Sequence, residues 1–252
     1  MLTLNGIKVP ITLFPDNSSQ VWNIPQEALE GETYYIEWDF SHEMEFLHLA
    51  QLKTLLNNTN FQKQVQLYMP FLPFGRQDKD ISNENTFALH TFAGLINSLR
   101  FDKVITLDAH SNLGEKLFNN YKSIKPRKVI NKAFSESNSN MIVYPDKGSL
   151  ERYNLDYLRL ESVPIITGNK VRNQETGYIE EYTFEGDPKD KKVLIIDDIV
   201  DGGMTFILLT RDLLKSGAKE VNLYCTHGIF SKGKKVLFDS GINRIFLQTF
   251  FF

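Results

Sequence analysis

Apolar and polar residues follow one another along this chain in two rhythms. Short apolar or β-branched runs have the length and composition of buried strands: VQLYM at 65–69, KVITL at 103–107, NMIVY at 140–144, VLII at 193–196, VNLYC at 221–225 and RIFLQ at 244–248. Between them, EMEFLHLAQLKTLLN at 43–57, TFALHTFAGLINSLR at 86–100 and TFILLTRDLLKSG at 205–217 gather apolar residues at helical spacing. In the first of these Met44, Leu47, Leu55 and Leu56 fall close to one face, with Leu52 beside them. The third closes on Lys215-Ser216-Gly217, a basic last turn followed by a stop glycine. Strands alternating with helices predict parallel β-structure with right-handed crossovers, an α/β fold.

Ligands of such folds bind at the carboxyl ends of the strands, so the residues just after each run are the candidates. The sharpest stretch is VLIIDDIVDGGMT at 193–205. Glycines ahead of a helix N-terminus leave backbone amides open to a phosphate. That role falls to Asp201, Gly202, Gly203 and Met204, with Thr205, at the expected start of the helix, capping it or donating its hydroxyl to the phosphate. Asp197 and Asp198 would repel the phosphate; they suit vicinal hydroxyls, to which a carboxylate accepts short charge-assisted bonds. A lone Asp-Gly-Gly would describe only a turn. Two acids directly behind four buried residues describe a pocket for a phosphorylated sugar.

Composition narrows the setting. The 252 residues suffice for one large or two modest domains, and 42% hydrophobic with 23% charged residues is ordinary for a globular protein. A net charge of −3 with no basic run argues against a nucleic-acid partner. Cys225 is the single cysteine, which excludes an internal disulfide and a cysteine-rich metal site. No apolar stretch approaches the ~20 residues of a membrane span, and MLTLNGIKVP lacks the layout of a signal peptide. The expectation is a cytoplasmic protein with no membrane partner. His42, His48 and His90 lie in helical patterns and read as packing or surface residues, and SESNSN at 135–140 as a polar loop.

The 193–205 stretch resembles the phosphoribosyl-diphosphate signature shared by type I phosphoribosyltransferases and ribose-phosphate diphosphokinases. PFLPFGRQDKD at 70–80 resembles the PYFGYARQD segment of the diphosphokinases, which implies ATP binding by Arg76, Gln77 and Asp78. Physically, Arg76 offers a planar fork and Gln77 an amide for a base edge. ITLDAHS at 105–111 resembles V-D-L-H-A/S, which implies Asp108 and His110 beside Mg²⁺ and ATP. VYPDKGSLERY at 143–153 resembles S-P-D-x-G-G-x-x-R, which implies that Asp146 contacts metal and ribose. NKVRN at 169–173 matches K-x-R, which implies that Lys170 and Arg172 serve the transferring diphosphate. FPDNS at 14–18 loosely resembles the loop with which a neighbouring subunit grips adenine, Phe14 being the stacking residue; an aromatic anchor for the N-terminal strand is the other reading. His227, in THGIFS, resembles the family's T-H-G and is given no chemistry.

The matches occur in family order over roughly residues 65–230. The diphosphokinase family implies two tandem type I phosphoribosyltransferase-like domains, each a mainly parallel sheet flanked by helices. They are expected at 1–123 (ATP side) and 124–252 (ribose 5-phosphate side), divided in the KSIKPRK stretch, in a homo-oligomer. The activity implied is Mg²⁺-dependent transfer of diphosphate from ATP to the anomeric hydroxyl of ribose 5-phosphate, giving 5-phosphoribosyl 1-diphosphate and AMP. A phosphoribosyltransferase would leave Arg76-Gln77 and K-x-R without a role, and a non-catalytic nucleotide-binding relative is the third reading. The chain departs from the family at three places. Its loop reads D-G-G-M-T for D-T-G/A-G-T, so Gly202 lacks a hydroxyl and Met204 would be strained if its position needs φ > 0. Ser149 replaces a glycine and Lys147 is new beside Asp146. Family chains also run longer, by about one βα unit at the N-terminus.

Overall fold

The computed structural model describes residues 1–60, 62–80, 84–172 and 179–250; the side chains of 170–182 and 249–250 lie outside that description. The chain divides into two units, Met1–Lys125 and Pro126–Phe252.

The first unit runs β1 (Leu2–Leu4), β2 (Ile7–Lys8), β3 (Ile11–Leu13), β4 (Ser19–Val21), β5 (Thr33–Trp38), α1 (Glu45–Thr59), β6 (Gln64–Met69), α2 (Ala88–Ser98), β7 (Lys103–Leu107), α3 (Gly114–Leu117) and β8 (Tyr121–Ile124). Among the described residues its sheet has the order β2-β1-β5-β6-β7-β8, parallel from β5 to β8 and antiparallel where β1 joins. β3 and β4 form a separate hairpin. In β5, Tyr34, Ile36 and Trp38 point inward while Tyr35 and Glu37 point out, the period of two that a pleated strand imposes. The first three residues of KSIKPRK are the end of the edge strand β8.

Helix α1 begins later than the apolar pattern predicts. Its buried stripe is Leu49, Leu52, Lys53 and Leu56, whereas Met44 and Leu47 are exposed. Lys53 buries its stem and turns its ammonium to Asn57 Oδ1 at 2.7 Å and toward the Phe101 ring. Glu45, the first helical residue, fixes the entry: its carboxylate accepts the Trp38 indole N–H and the Ser41 amide, both at 2.9 Å.

The second unit runs α4 (Arg127–Glu136), β9 (Met141–Tyr144), α5 (Lys147–Arg152), α6 (Leu155–Leu158), β10 (Ile165–Arg172), β11 (Ile179–Glu185), β12 (Lys192–Val200), α7 (Met204–Lys215), β13 (Glu220–Gly228), α8 (Lys235–Phe238) and β14 (Ile242–Phe250). Among the described residues its sheet order is β11-β10-β9-β12-β13-β14, parallel except where β11 pairs antiparallel with β10. β12 is apolar on both faces from Val193 to Ile196 because helices cover both sides, which gives one core with Leu209 and Leu213 of α7 and another with Ile130 of α4 and Tyr153. Helix α7 ends where the sequence pattern places its stop, Gly217 taking φ 92° just beyond Ser216. Both units are therefore α/β with mainly parallel sheets. SESNSN is not a solvated loop: α4 runs into it to Glu136, and Ser137 and Ser139 are buried, their hydroxyls 2.7 Å apart. No helix among the described residues is long and apolar enough to cross a membrane.

Burial opposes the charge on Glu45, but the Ser41 amide, the Trp38 indole and the Ser41 hydroxyl outweigh it and hold the carboxyl below its ordinary range. Glu45→Ala should cost about 1–2 kcal/mol at neutral pH in urea unfolding. A lowered carboxylate pKa gives stability that is lost as pH falls through the folded value, so the gap to wild type should narrow in acid.

Candidate functional site

In the second unit the site is built around the carboxyl end of β12. The strand does not stop at Ile196: it carries Asp197 and Asp198 within the ladder, Asp197 in register with Cys225, and ends at Val200. Both acids therefore belong to the sheet rather than to the loop. Asp198 is buried, with 4% of its surface exposed, and its Oδ2 accepts Arg152 Nη1 at 2.5 Å. Its amide donates to Asp197 Oδ1 at 3.0 Å.

The neighbouring strand β9 lies parallel to β12 and delivers Asp146 beside them. Asp146 caps α5, its Oδ1 accepting the Ser149 amide at 2.9 Å. Ser149, where a glycine was expected, works as a tie. Its hydroxyl donates to Ile196 O at 2.6 Å and joins the first turn of α5 to the strand just ahead of Asp197. Gly148 stays a glycine for a spatial reason, since a Cβ there would stand 3.3 Å from Asp146 Oδ1. Lys147 is exposed at the start of α5.

Crowded carboxylates leave their mark. Asp197 is pushed well above the ordinary carboxylate range, by burial first and then by the negative charges of Asp198 and Asp146. Burial, followed by those of Asp197 and Asp198, likewise pushes up the Cys225 thiol, which makes it a packing residue rather than a nucleophile.

Beyond β12 the loop turns at Gly203, which has φ 78° and ψ 0° and serves as the N-cap of α7. A Cβ there would also meet Leu237 Cδ2 at 2.8 Å. Helix α7 begins at Met204, one residue before the expected Thr205, so Thr205 is inside the first turn and does not cap. Met204 is helical and 47% exposed; the positive φ belongs to Gly203, and no strain arises at the methionine. No side chain caps α7 and no acid stands in its first turn, so its leading amides face the loop of Asp201 and Gly202. His227 is buried within β13 at 1% exposure and presents no reactive face.

Lys170 and Arg172 occupy the end of β10, where the ladder with β11 shifts register between Val171 and Arg172; their side chains lie outside the described residues. Since β10 pairs with β9 at Thr167 and Tyr144, both positions lie past the level at which β9 ends.

In the first unit, β6 and β7 are parallel neighbours, and the Leu107 amide donates to Pro70 O at 3.1 Å, so their outgoing loops leave side by side. The β6 loop is wound tightly: Phe74 takes φ 61°, the Gln77 amide reaches Phe74 O at 2.9 Å, and Gln77 O accepts the Leu89 amide of α2 at 3.2 Å. Arg76 and Gln77 are exposed and Asp78 is half-buried. After β7, Asp108 is buried in the left-handed region at φ 46°, its amide held by Ile124 O at 2.8 Å, while His110 is exposed. A buried non-glycine residue in that conformation is the kind of local strain found at functional positions. Phe14 sits half-buried at the mouth of the β3–β4 turn, its amide donating to Ser18 O at 2.8 Å. Asp108 and His110 belong to one unit and Asp146 to the other, and among the described residues no three His, Cys, Asp or Glu side chains form a metal cage.

Sequence reading missed Arg152 and Ser149 as working parts. A signal for the first was present, because a buried aspartate demands a cation, and Arg152 is the last charged residue of the 143–153 stretch.

The Phosphoribosyl transferase domain family matches residues 120–248, half of the chain. A ribose-phosphate pyrophosphokinase of Agrobacterium fabrum is 30% identical over 215 residues, spanning 82% of this chain and 68% of the relative. One from Thermococcus kodakarensis is 25% identical over 239 residues, spanning 90% and 80%. The crystal structure of a phosphoribosylpyrophosphate synthetase from Mycobacterium smegmatis superposes with a TM-score of 0.80 over 95% of this chain and 79% of that one, at 20% identity, a likeness of fold. Fold and site define a protein of the phosphoribosyl transferase domain class. Within that class the chain belongs to the ribose-phosphate pyrophosphokinase family, whose members are diphosphokinases.

A carboxyl raised in the fold keeps a proton that the unfolded chain releases, so it removes stability as pH rises from the ordinary carboxylate range toward the raised value. In chelator-containing buffer, Asp197→Asn should therefore be more stable than wild type at pH 7, seen as a higher melting temperature. It should also flatten the decline in melting temperature as pH rises above the ordinary carboxylate range. Gly203→Ala should act oppositely, losing about 1–2 kcal/mol to backbone strain and to the clash with Leu237.

Proposed function

We propose that this diphosphokinase transfers diphosphate from ATP to the anomeric hydroxyl of ribose 5-phosphate, yielding 5-phosphoribosyl 1-diphosphate and AMP with Mg²⁺ as cofactor. The observation that carries the reading is the uncapped N-terminus of α7 behind Gly203, set one loop away from Asp197 and Asp198. Amides of Gly202 to Thr205 would bind the 5-phosphate, with Asp201 closing the turn that holds them. Asp197 and Asp198 would accept the ribose hydroxyls, with Arg152 orienting the carboxylate of Asp198.

In the first unit, Arg76, Gln77 and Asp78 would hold ATP with His110. Asp108, His110 and Asp146 would hold Mg²⁺ directly or through water. The carboxylates of Asp108 and Asp146 are the hard oxygen donors such an ion prefers, and it would keep several waters and bind mainly through substrate phosphates. When bound, it would offset phosphate charge. Lys170 and Arg172 would neutralise the β-phosphate as the sugar oxygen attacks β-phosphorus and the bond to the α–β bridging oxygen breaks, AMP departing with that oxygen. Orientation and charge neutralisation supply most of the rate. The working form is proposed as a cytoplasmic homo-oligomer: the β3–β4 hairpin leaves Ile11, Leu13 and Trp22 exposed beside Phe14, an apolar surface suited to a second copy.

Purified protein given Mg²⁺, ATP and ribose 5-phosphate should form AMP and 5-phosphoribosyl 1-diphosphate in equal amounts. Lys170→Ala should slow this by about 100-fold or more. ADP as the product would mean ordinary kinase chemistry and would sink the mechanism. Base-dependent diphosphate release without ATP would mark a phosphoribosyltransferase, and bound ATP without turnover a non-catalytic relative.

A further inference from the structure

The phosphate loop lacks a side chain at Gly202, and Lys232 lies close to where one would start. Gly202 lies outside the left-handed region, so nothing in its backbone demands glycine. A Cβ built there would stand 3.7 Å from both Cδ and Cε of Lys232 and 3.8 Å from Ser231 Oγ, ordinary contact distances. The stem of Lys232 thus runs beside the loop, within contact distance of where a residue-202 side chain would start, and its ammonium is one bond further on.

The segment carrying these residues is fastened to the site. The Ile229 and Phe230 amides donate to Val200 O at 2.8 and 3.2 Å, joining the exit of β13 to the end of β12. The Gly233 amide closes a turn on Phe230 O at 2.7 Å, and Leu237 of α8 packs against Gly203. The neighbouring lysines have other engagements: Lys234 lies over the Phe230 ring at 5.2 Å, and Lys235 reaches Asp239 at 2.7 Å. Lys232 makes no ion pair among the described residues. It lies beside the loop that leads into α7, whose start has neither a capping side chain nor, in its first turn, an acid.

We propose that Lys232, with Ser231, completes the binding site for the 5-phosphate of the sugar. It supplies from the β13–α8 loop the donor that residue 202 does not provide. This inference rests on the proposed sugar-phosphate reading of the α7 loop. A lysine in this role acts as a mobile point charge, so binding depends on salt and on the substrate's phosphate rather than on its ring.

The test compares wild type, Lys232→Ala, Lys232→Arg and Lys235→Ala, using calorimetric Kd for ribose 5-phosphate at two ionic strengths alongside KM for each substrate. Lys232→Ala should weaken ribose 5-phosphate binding by about tenfold and flatten its salt dependence, as expected for one lost charge-assisted contact. The KM for ATP and the kcat at saturating sugar phosphate should stay within about twofold. Lys232→Arg should restore most of the affinity, and Lys235→Ala should leave it unchanged. Placing Gly202→Thr in the Lys232→Ala background should recover binding, since the space is then open to a hydroxyl. Unchanged affinity in Lys232→Ala, or a loss that Lys235→Ala reproduces, overturns the inference while leaving the parent reading intact. Wild type that neither binds ribose 5-phosphate nor forms AMP overturns the parent reading, and this one with it.

Discussion

The second unit is organised by the need to hold two adjacent carboxylates inside the end of a strand. An aspartate with almost no exposed surface is tolerated only if a cation and hydrogen bonds replace water. Asp198 obtains its cation from Arg152, forty-six residues earlier, and that requirement sets what precedes β12. Helix α5 must begin at Asp146 and end at Arg152, so that a single short helix presents a carboxylate from one end and its guanidinium from the other. Ser149 fastens the middle of this arrangement to Ile196 O. Removing any one of these contacts would leave a buried polar group unmatched, which is why the serine serves better here than the glycine expected from resemblance.

The same economy governs the turn after β12. One residue must adopt a left-handed backbone and also let Leu237 approach, and Gly203 meets both demands. Once it does, the following residue is helical and needs no special conformation, so a methionine can replace a glycine at 204 without strain. Gly202, by contrast, is free of backbone constraint and has room for a Cβ, with Lys232 and Ser231 as its nearest neighbours. The segment after β13 is held to Val200 by two amides, and its position over the loop follows from that.

Much of this could be seen in the amino-acid order, for physical reasons. Runs such as VLII and KVITL form strands inside their sheets, and continuous apolarity over four or five residues has few other causes. The glycine after Lys215 was legible because only a left-handed residue ends a helix there without penalty. Helix α1 was harder: its hydrophobic residues surround the axis rather than one face, so Met44 and Leu47 looked central yet are exposed. Asp197 and Asp198 looked like loop residues because strands seldom carry paired acids, and only tertiary partners distant in sequence permit them. A buried aspartate demands a cation, but nothing local to Asp198 says that Arg152, forty-six residues earlier, supplies it. Strands β10 and β11 mix polar and charged residues among the apolar ones; the ladder they join stabilises them, and they left no clear pattern of their own.

The electrostatics of the unit argue for a ligand independently of any resemblance. Asp146, Asp197 and Asp198 are brought together although the other two raise the cost of ionising Asp197, and a fold selected for stability alone would separate them. An adjacent helix start is left without a capping side chain, because its N-cap is Gly203, where the left-handed backbone and Leu237 admit no Cβ. Hydroxyl acceptors beside an unsatisfied set of amides form a pair of opposite requirements, one for hydrogen-bond donors and one for negative charge. A sugar phosphate meets both at once.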